Sequence, residues 1–207
     1  MGKNKLRLRF CKTGNAKYIS HLDLMATLQR ALLRAGVNLR YTEGFNPHPI
    51  MSIALPLSVG CESVCELMDF EPEGVLPDNL NDYLSEGITV TDAYVSARKF
   101  ADIAWLGIRG SLVFDGDIDE LQACFGQESI IIQKKTKRGV NDLDIVPFIR
   151  DIEFHTGDMI TMTAKISAQN PTLNPEHLMQ ALEGDLKPDF TTFCRTEVYD
   201  AEMNIFR

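Results

Sequence analysis

The chain has no apolar run approaching the ~20 residues that a bilayer-spanning helix needs. Its basic start, MGKNKLRLRFCKTG, has neither the apolar core nor the small-residue cleavage site of a secretory signal. Met1-Gly2 is followed by Leu6, where N-myristoylation needs Ser or Thr. No membrane partner is expected, and the cytoplasm is the expected compartment. Cysteine is scarce and odd in number: Cys11, Cys61, Cys65, Cys124 and Cys194 are scattered, unlike the dense, even framework of a small disulfide-bonded domain. Also missing are a GxxxxGK[ST] loop, a GxGxxG after a strand, HExxH, GxSxG and the aromatic RNP1 pattern. Stand-alone nucleotide hydrolysis, dinucleotide chemistry and serine hydrolysis therefore lack support.

What is present is an ordinary globular composition, 44% hydrophobic and 24% charged over 207 residues, enough for two small domains. The net charge of −8 conceals a polarity. Residues 1–50 carry nine Lys/Arg against two Asp/Glu, a net of +7, and the remainder twelve against twenty-seven, a net of −15. Such asymmetry points to an anionic partner at one end; a basic face that is merely solvated is the alternative. A second basic cluster, Lys134-Lys135-Thr136-Lys137-Arg138, sits in the acidic part.

Hydrophobic periodicity divides the chain into two similar halves. Leu6–Phe10 alternates with Arg7 and Arg9, the pattern of a strand with one buried face. Ser20 caps a helix that runs to about Ala35 and stops at Gly36, with Asp23 completing a short capping box. Leu24, Leu28, Ala31, Leu32 and Ala35 form its apolar stripe, and Asp23, Thr27, Arg30 and Arg34 share the opposite face. A loop over residues 37–50 follows, then strands at Met51–Leu57 and Val64–Phe70, a helix at Pro77–Glu86 and a strand at Ile88–Val95. This β-α-β-β-α-β order is ferredoxin-like.

After a boundary near Ala97–Ala104 the pattern restarts. Strands are expected at Leu106–Phe114 and Ser129–Lys135, a hairpin at Ile152–His155 and Met159–Ile166, and a last strand at Phe190–Val198. Helices are expected at Asp117–Phe125 and Pro175–Leu182, with one helical turn at Ile145–Ile149. The expected fold is thus α+β, two tandem ferredoxin-like lobes at residues 1–98 and 104–207, the second embellished.

Candidate chemistry concentrates in Lys17-Tyr18-Ile19-Ser20-His21-Leu22-Asp23 and Arg40-Tyr41-Thr42-Glu43-Gly44-Phe45-Asn46-Pro47-His48-Pro49. Cations for phosphates and aromatic rings for bases are what an RNA-binding surface needs. The phrases KYISHLDLMATLQRALLRAG, YTEGFNPHP and SIALPLSVGCES resemble the radical SAM-linked family of domains of unknown function. Its recurrent motif falls on Ser20, His21, Leu22, Asp23 and on Gly44, Phe45, Asn46, Pro47, His48, Pro49. The resemblance implies a working relationship with a radical SAM protein and supplies no reaction.

The leading expectation is an accessory module, without catalysis of its own, that recognises structured RNA such as tRNA or rRNA. Lys12, Lys17, Arg30, Arg34 and Arg40 are the expected phosphate contacts, Tyr41 and Phe45 the stacking rings, and Ser20, His21, Asp23, Asn46 and His48 the recognition pocket. Phe45 plugging its loop onto the core is the alternative for that ring. His21 is the candidate base in a second reading, a metal-independent RNA endonuclease. At the first helical position the helix dipole disfavours imidazolium, and a neutral imidazole can accept a 2′-hydroxyl proton. The third reading is a module that docks on an acidic face of the radical SAM protein. No cofactor or metal is expected. His21 and Asp23, at i and i+2, diverge around a helix; Cys61 and Cys65 lie ~13 Å apart along a strand, and Met68 stands where a CxxxCxxC cluster motif needs its third Cys.

Overall fold

The computed structural model describes residues 5–113, 116–136 and 139–207. Met1 and Gly2, Phe114, and Lys137 and Arg138 of the second basic cluster lie outside the described residues. The protein is α+β, built of mostly antiparallel strands with few helices. It divides into two compact units, Met1–Phe100 with Arg207, and Ala101–Phe206. Among the described residues no helix is long and apolar enough to cross a membrane.

The first unit contains β1 (Leu6–Lys12), α1 (His21–Arg34), β2 (Asn38–Leu39), β3 (Met51–Ile53), β4 (Glu62–Phe70), β5 (Pro72–Glu73) and β6 (Ile88–Val95). Antiparallel pairing sets the strand order β3-β4-β1-β6, and β2 pairs with β5. Helix α1 starts because Ser20 has an extended backbone and its Oγ accepts the Asp23 N–H at 3.2 Å, satisfying a donor that the first turn leaves open. It stops at Gly36, whose φ of +79° lets the Val37 N–H turn back to the Leu32 carbonyl at 2.9 Å. Leu24, Leu28 and Leu32 recur at helical spacing and are buried in one core with Leu8, Phe10, Met68 and Phe70 of the sheet. Burying each such leucine contributes roughly 1.5–3 kcal/mol, so this stripe holds the helix in place.

Two expectations for this unit are corrected. The helix expected over Pro77–Glu86 is a single 3₁₀ turn, Leu80–Tyr83. It is fastened by the Asn81 side chain, which donates to the Val90 carbonyl at 3.0 Å and accepts the Val90 N–H at 2.8 Å. Arg7, read as lying on an exposed strand face, is 0% exposed. The alternation is real, but both faces of β1 are covered at that position.

The second unit contains β7 (Trp105–Val113), α2 (Ile118–Phe125), β8 (Ile131–Thr136), β9 (Gly139–Asp144), β10 (Ile149–His155), β11 (Ile160–Ser167), α3 (Pro175–Met179) and β12 (Phe190–Tyr199). Its antiparallel order is β10-β11-β7-β12. Gly110 faces Phe193 across β7 and β12, where a Cβ would approach the ring to 2.9 Å, so the aromatic takes the space that the glycine leaves. The strand expected at Ser129–Lys135 begins at Ile131 and forms a hairpin with β9. The helix expected to reach Leu182 ends at Met179; five residues are too few to propagate alone, and the Asn174 N–H bonded to His177 Nδ1 at 3.1 Å secures its start.

Candidate functional site

The motif residues of the first unit fall into two groups. The first is the start of α1. The Ser20 hydroxyl donates to Asp23 Oδ2 at 2.7 Å while accepting the Asp23 amide, so this pair is occupied with capping. His21 is half-buried at the first helical position, and no hydrogen bond among the described residues orients its ring. A general base is normally held by a third group, and among the described residues no hydrogen bond supplies one to His21. Lys17 nearby pairs with Glu62 at 3.6 Å and lies 5.4 Å from the centre of the Tyr18 ring.

The second group is a stiff hairpin over residues 40–50. The Thr42 N–H donates to the His48 carbonyl at 2.9 Å, the Ile50 N–H donates to the Arg40 carbonyl at 2.8 Å, and Tyr41 bridges Pro49. Its base is tied to the end of β4, where the Arg40 N–H donates to the Glu71 carbonyl at 3.0 Å and the Arg40 guanidinium to the Glu71 carboxylate at 2.9 Å. Inside it, Thr42 Oγ1 accepts the His48 amide at 3.1 Å and lies 3.2 Å from His48 Nδ1. Pro47 and Pro49 fix two further φ angles. At the tip, Phe45 is 108% exposed, so its ring packs on nothing. The reading of Phe45 as a plug on the core is overturned. Tyr41 is exposed on the same hairpin.

No hydrogen bond or ion pair among the described residues joins the two groups. Of the expected pocket residues, Ser20 and Asp23 are held by one set of local bonds and His48 by another. The expected phosphate contacts also separate. Arg30 is exposed on α1. Arg34 is exposed but donates to the Tyr83 carbonyl at 2.6 Å, and Arg40 is paired with Glu71. Lys12 is a correction, because it is 1% exposed and cannot reach a surface phosphate. Its Nζ donates to the carbonyls of Ile19 at 3.0 Å and Lys17 at 3.3 Å, holding the segment that leads into α1. Burial pulls its ammonium below the usual lysine range, partly offset by Glu66 and Cys61.

Beneath the hairpin lies a cavity of about 410 Å³ that sequence reasoning missed. Thr42, His48 and Pro49 contribute from the hairpin, Asp69, Phe70 and Glu71 from the end of β4, and Lys5, Lys99 and Phe100 from the flanking chain. Behind it is a buried ionic group. Arg7 and Asp69 are direct partners across β1 and β4, and Arg7 donates to both carboxylate oxygens, at 2.7 and 3.0 Å. Its remaining donors reach the Arg98 carbonyl at 2.8 Å and Ser96 Oγ at 3.1 Å, and its guanidinium stands 4.6 Å from the Phe100 ring centre. Lys5 completes the group with Asp69 at 2.5 Å. An aspartate within the otherwise apolar stretch Leu67-Met68-Asp69-Phe70, facing an arginine in the opposite strand, was the available signal. Among the described residues no group of His, Cys, Asp and Glu is arranged to hold a metal ion.

No curated protein matches the chain. A solved structure described as Thermus thermophilus Cse3 bound to an RNA representing a pre-cleavage complex aligns over 91% of this chain and 98% of that one. It is 14% identical with a TM-score of 0.22, a likeness too slight to carry an argument. The family described as an uncharacterized protein conserved in bacteria (DUF2344) matches residues 5–175. The chain belongs to that family.

Proposed function

We propose that this chain is a pair of ferredoxin-like lobes whose first lobe recognises structured RNA, tRNA or rRNA, as an accessory to a radical SAM protein. The strand orders β3-β4-β1-β6 and β10-β11-β7-β12 support the fold reading, since each places the first and third main strands at the centre. The observation that carries the functional reading is Phe45, a fully exposed aromatic ring at the tip of a braced hairpin. A ring held there loses little entropy when a base stacks on it, and such stacking contributes about 1–3 kcal/mol per base. Arg30 and Arg34 on α1 supply positive charge in the same unit. The radical SAM partner rests on the resemblance of the SHLD and GFNPHP motifs.

The test is capture of cellular RNA by the purified protein at about 50 and 200 mM salt, because counterion release makes phosphate binding steeply salt-dependent. Capture of a discrete RNA that weakens with salt, with Arg30→Ala and with Phe45→Ala is expected. Absent or salt-insensitive capture would overturn the reading and favour a protein-docking surface.

A further inference from the structure

We infer that Tyr18 is a second ring on which the first unit stacks an unpaired base, and that the buried Lys12 positions it. The inference rests on the RNA reading above and deepens it, because a base is free to stack on a protein ring only where the RNA is single-stranded.

The argument starts from Lys12. Taking an ammonium out of water is costly unless hydrogen bonds and opposite charge offset it, yet Lys12 is 1% exposed. Its Nζ donates to the carbonyls of Lys17 at 3.3 Å and Ile19 at 3.0 Å. Those carbonyls belong to the two residues on either side of Tyr18. The same short stretch is fastened three more times. The Lys17 carbonyl also accepts the Gly60 N–H at 2.9 Å, and the Ile19 N–H closes the 3₁₀ turn Gly14–Tyr18 onto the Ala16 carbonyl at 3.2 Å. Ser20 then caps α1.

The side chain at the centre of this clamp is turned outward. Tyr18 is 63% exposed. A buried charge is thus used to fix the backbone on both sides of an exposed ring, and a ring on fixed backbone gives up little entropy when a partner stacks on it. Phe45 has the same design in the other motif stretch, where an exposed ring sits on a hairpin closed by its own bonds.

The charge around Tyr18 fits stacking better than phosphate capture. The Lys17 ammonium stands 5.4 Å from the ring centre, and Glu62 lies 3.6 Å from that ammonium and offsets it. Attraction at this place therefore comes from the ring face rather than from net charge. Tyr18 should contribute affinity without contributing to the salt dependence, whereas Arg30 should contribute to both.

The experiment uses the full chain and a single-stranded oligoadenylate of about 12 nucleotides, within the site sizes of single-strand binders, beside its duplex with oligouridylate. Binding is followed by fluorescence anisotropy across a salt series, and melting temperatures establish that each variant folds. Tyr18→Ala should weaken single-strand binding roughly five- to 150-fold, with the salt slope and the duplex affinity unchanged. Tyr18→Trp should restore binding, and its added indole emission should be quenched by the oligoadenylate but not by inorganic polyphosphate. Lys12→Met, or Lys12→Gln if the first does not fold, should weaken single-strand binding, and Tyr18→Ala should add nothing further in that background.

Single-strand binding that Tyr18→Ala leaves within about twofold, while Phe45→Ala weakens it, overturns this inference and leaves the RNA reading standing. Tyr18→Leu that binds as well as the parent chain overturns stacking, since the position then offers only apolar area. Independent, additive losses from the Lys12 and Tyr18 substitutions overturn the positioning role of Lys12. No binding of any RNA by the parent chain overturns the RNA reading, and this inference with it.

Discussion

The two units share a strand order yet bury different chemistry. The central strands of the first unit contain Arg7, Lys12, Glu66 and Asp69, all buried. The corresponding strands of the second, β7 and β11, bury Leu106, Ile108, Leu112, Met162, Ala164 and Ile166. Desolvating a charge costs several kcal/mol, and a buried ion pair often stabilises no better than apolar residues of the same volume. The central strands of the second unit close without such groups, although its β12 buries Arg195, so the shared strand order does not itself demand charge at the centre of the first. Arg7 and Asp69 sit behind the cavity and brace its floor, and Lys12 braces the turn into α1. On the function proposed above, the first unit would recognise the ligand and the second would support it.

The sharpest way to break the contrast is Asp69→Ala. It leaves the Arg7 guanidinium buried without its carboxylate and should cost about 3–5 kcal/mol, measured by urea denaturation followed by circular dichroism. The double substitution Arg7→Leu/Asp69→Leu should recover most of that loss. A single substitution costing under about 1 kcal/mol would mean that the pair is not desolvated as the structure has it. Next in size is Leu112→Ala in the second unit, expected to cost about 2–5 kcal/mol through lost burial and the cavity left behind. Fluorescence of Trp105, the chain's single tryptophan, reports on that unit. RNA capture below the melting temperature should be unchanged.

Smaller effects come from pH, and they separate the units by window. His177 Nδ1 accepts the Asn174 N–H, and burial, followed by the charge of Lys134, lowers its pKa below the usual 6.5. The unfolded chain therefore takes up the proton first, and stability of the second unit falls as pH drops from 6.5 towards the folded value. Lys12 is also lowered, so the first unit gains stability as pH rises from its folded pKa towards 10.5. Melting curves across both windows check the assignments. His177→Asn should flatten the acid limb and leave the alkaline one unchanged.

Much of this fold is legible from periodicity. The α1 stripe, its Ser20 cap, its Gly36 stop and the β10–β11 hairpin all follow from residue spacing and turn chemistry. The errors have a common cause, which is that local pattern does not report what covers a strand. Arg7 reads as exposed from its neighbours, whereas the pairing with Asp69, 62 positions later, and the cover of Arg98 and Phe100 help make it internal. Lys12 misleads in the same way. The +7 of the first fifty residues therefore overstates the surface charge, because at least these two cations lie inside. The motif residues were visible as a group, but the cavity was not, since it is assembled from four separated stretches of the first unit.

The smallest effect on stability and the clearest on function should come from Phe45→Ala. Because the ring is 108% exposed, its removal deletes no packing, and the change in unfolding free energy should stay within about 0.5 kcal/mol. If the ring stacks on a base, its loss should weaken RNA binding by about 1–3 kcal/mol, roughly five- to 150-fold in Kd. Phe45→Trp should restore or tighten binding, because a larger π-face stacks at least as well, whereas Phe45→Leu should behave like the alanine variant. Filter binding beside urea denaturation reads both quantities. A leucine that binds as well as phenylalanine would mean that the tip contributes apolar area to a protein partner rather than stacking on a base. The hairpin would then be a docking device, and the division of labour between the units would stand with a different partner.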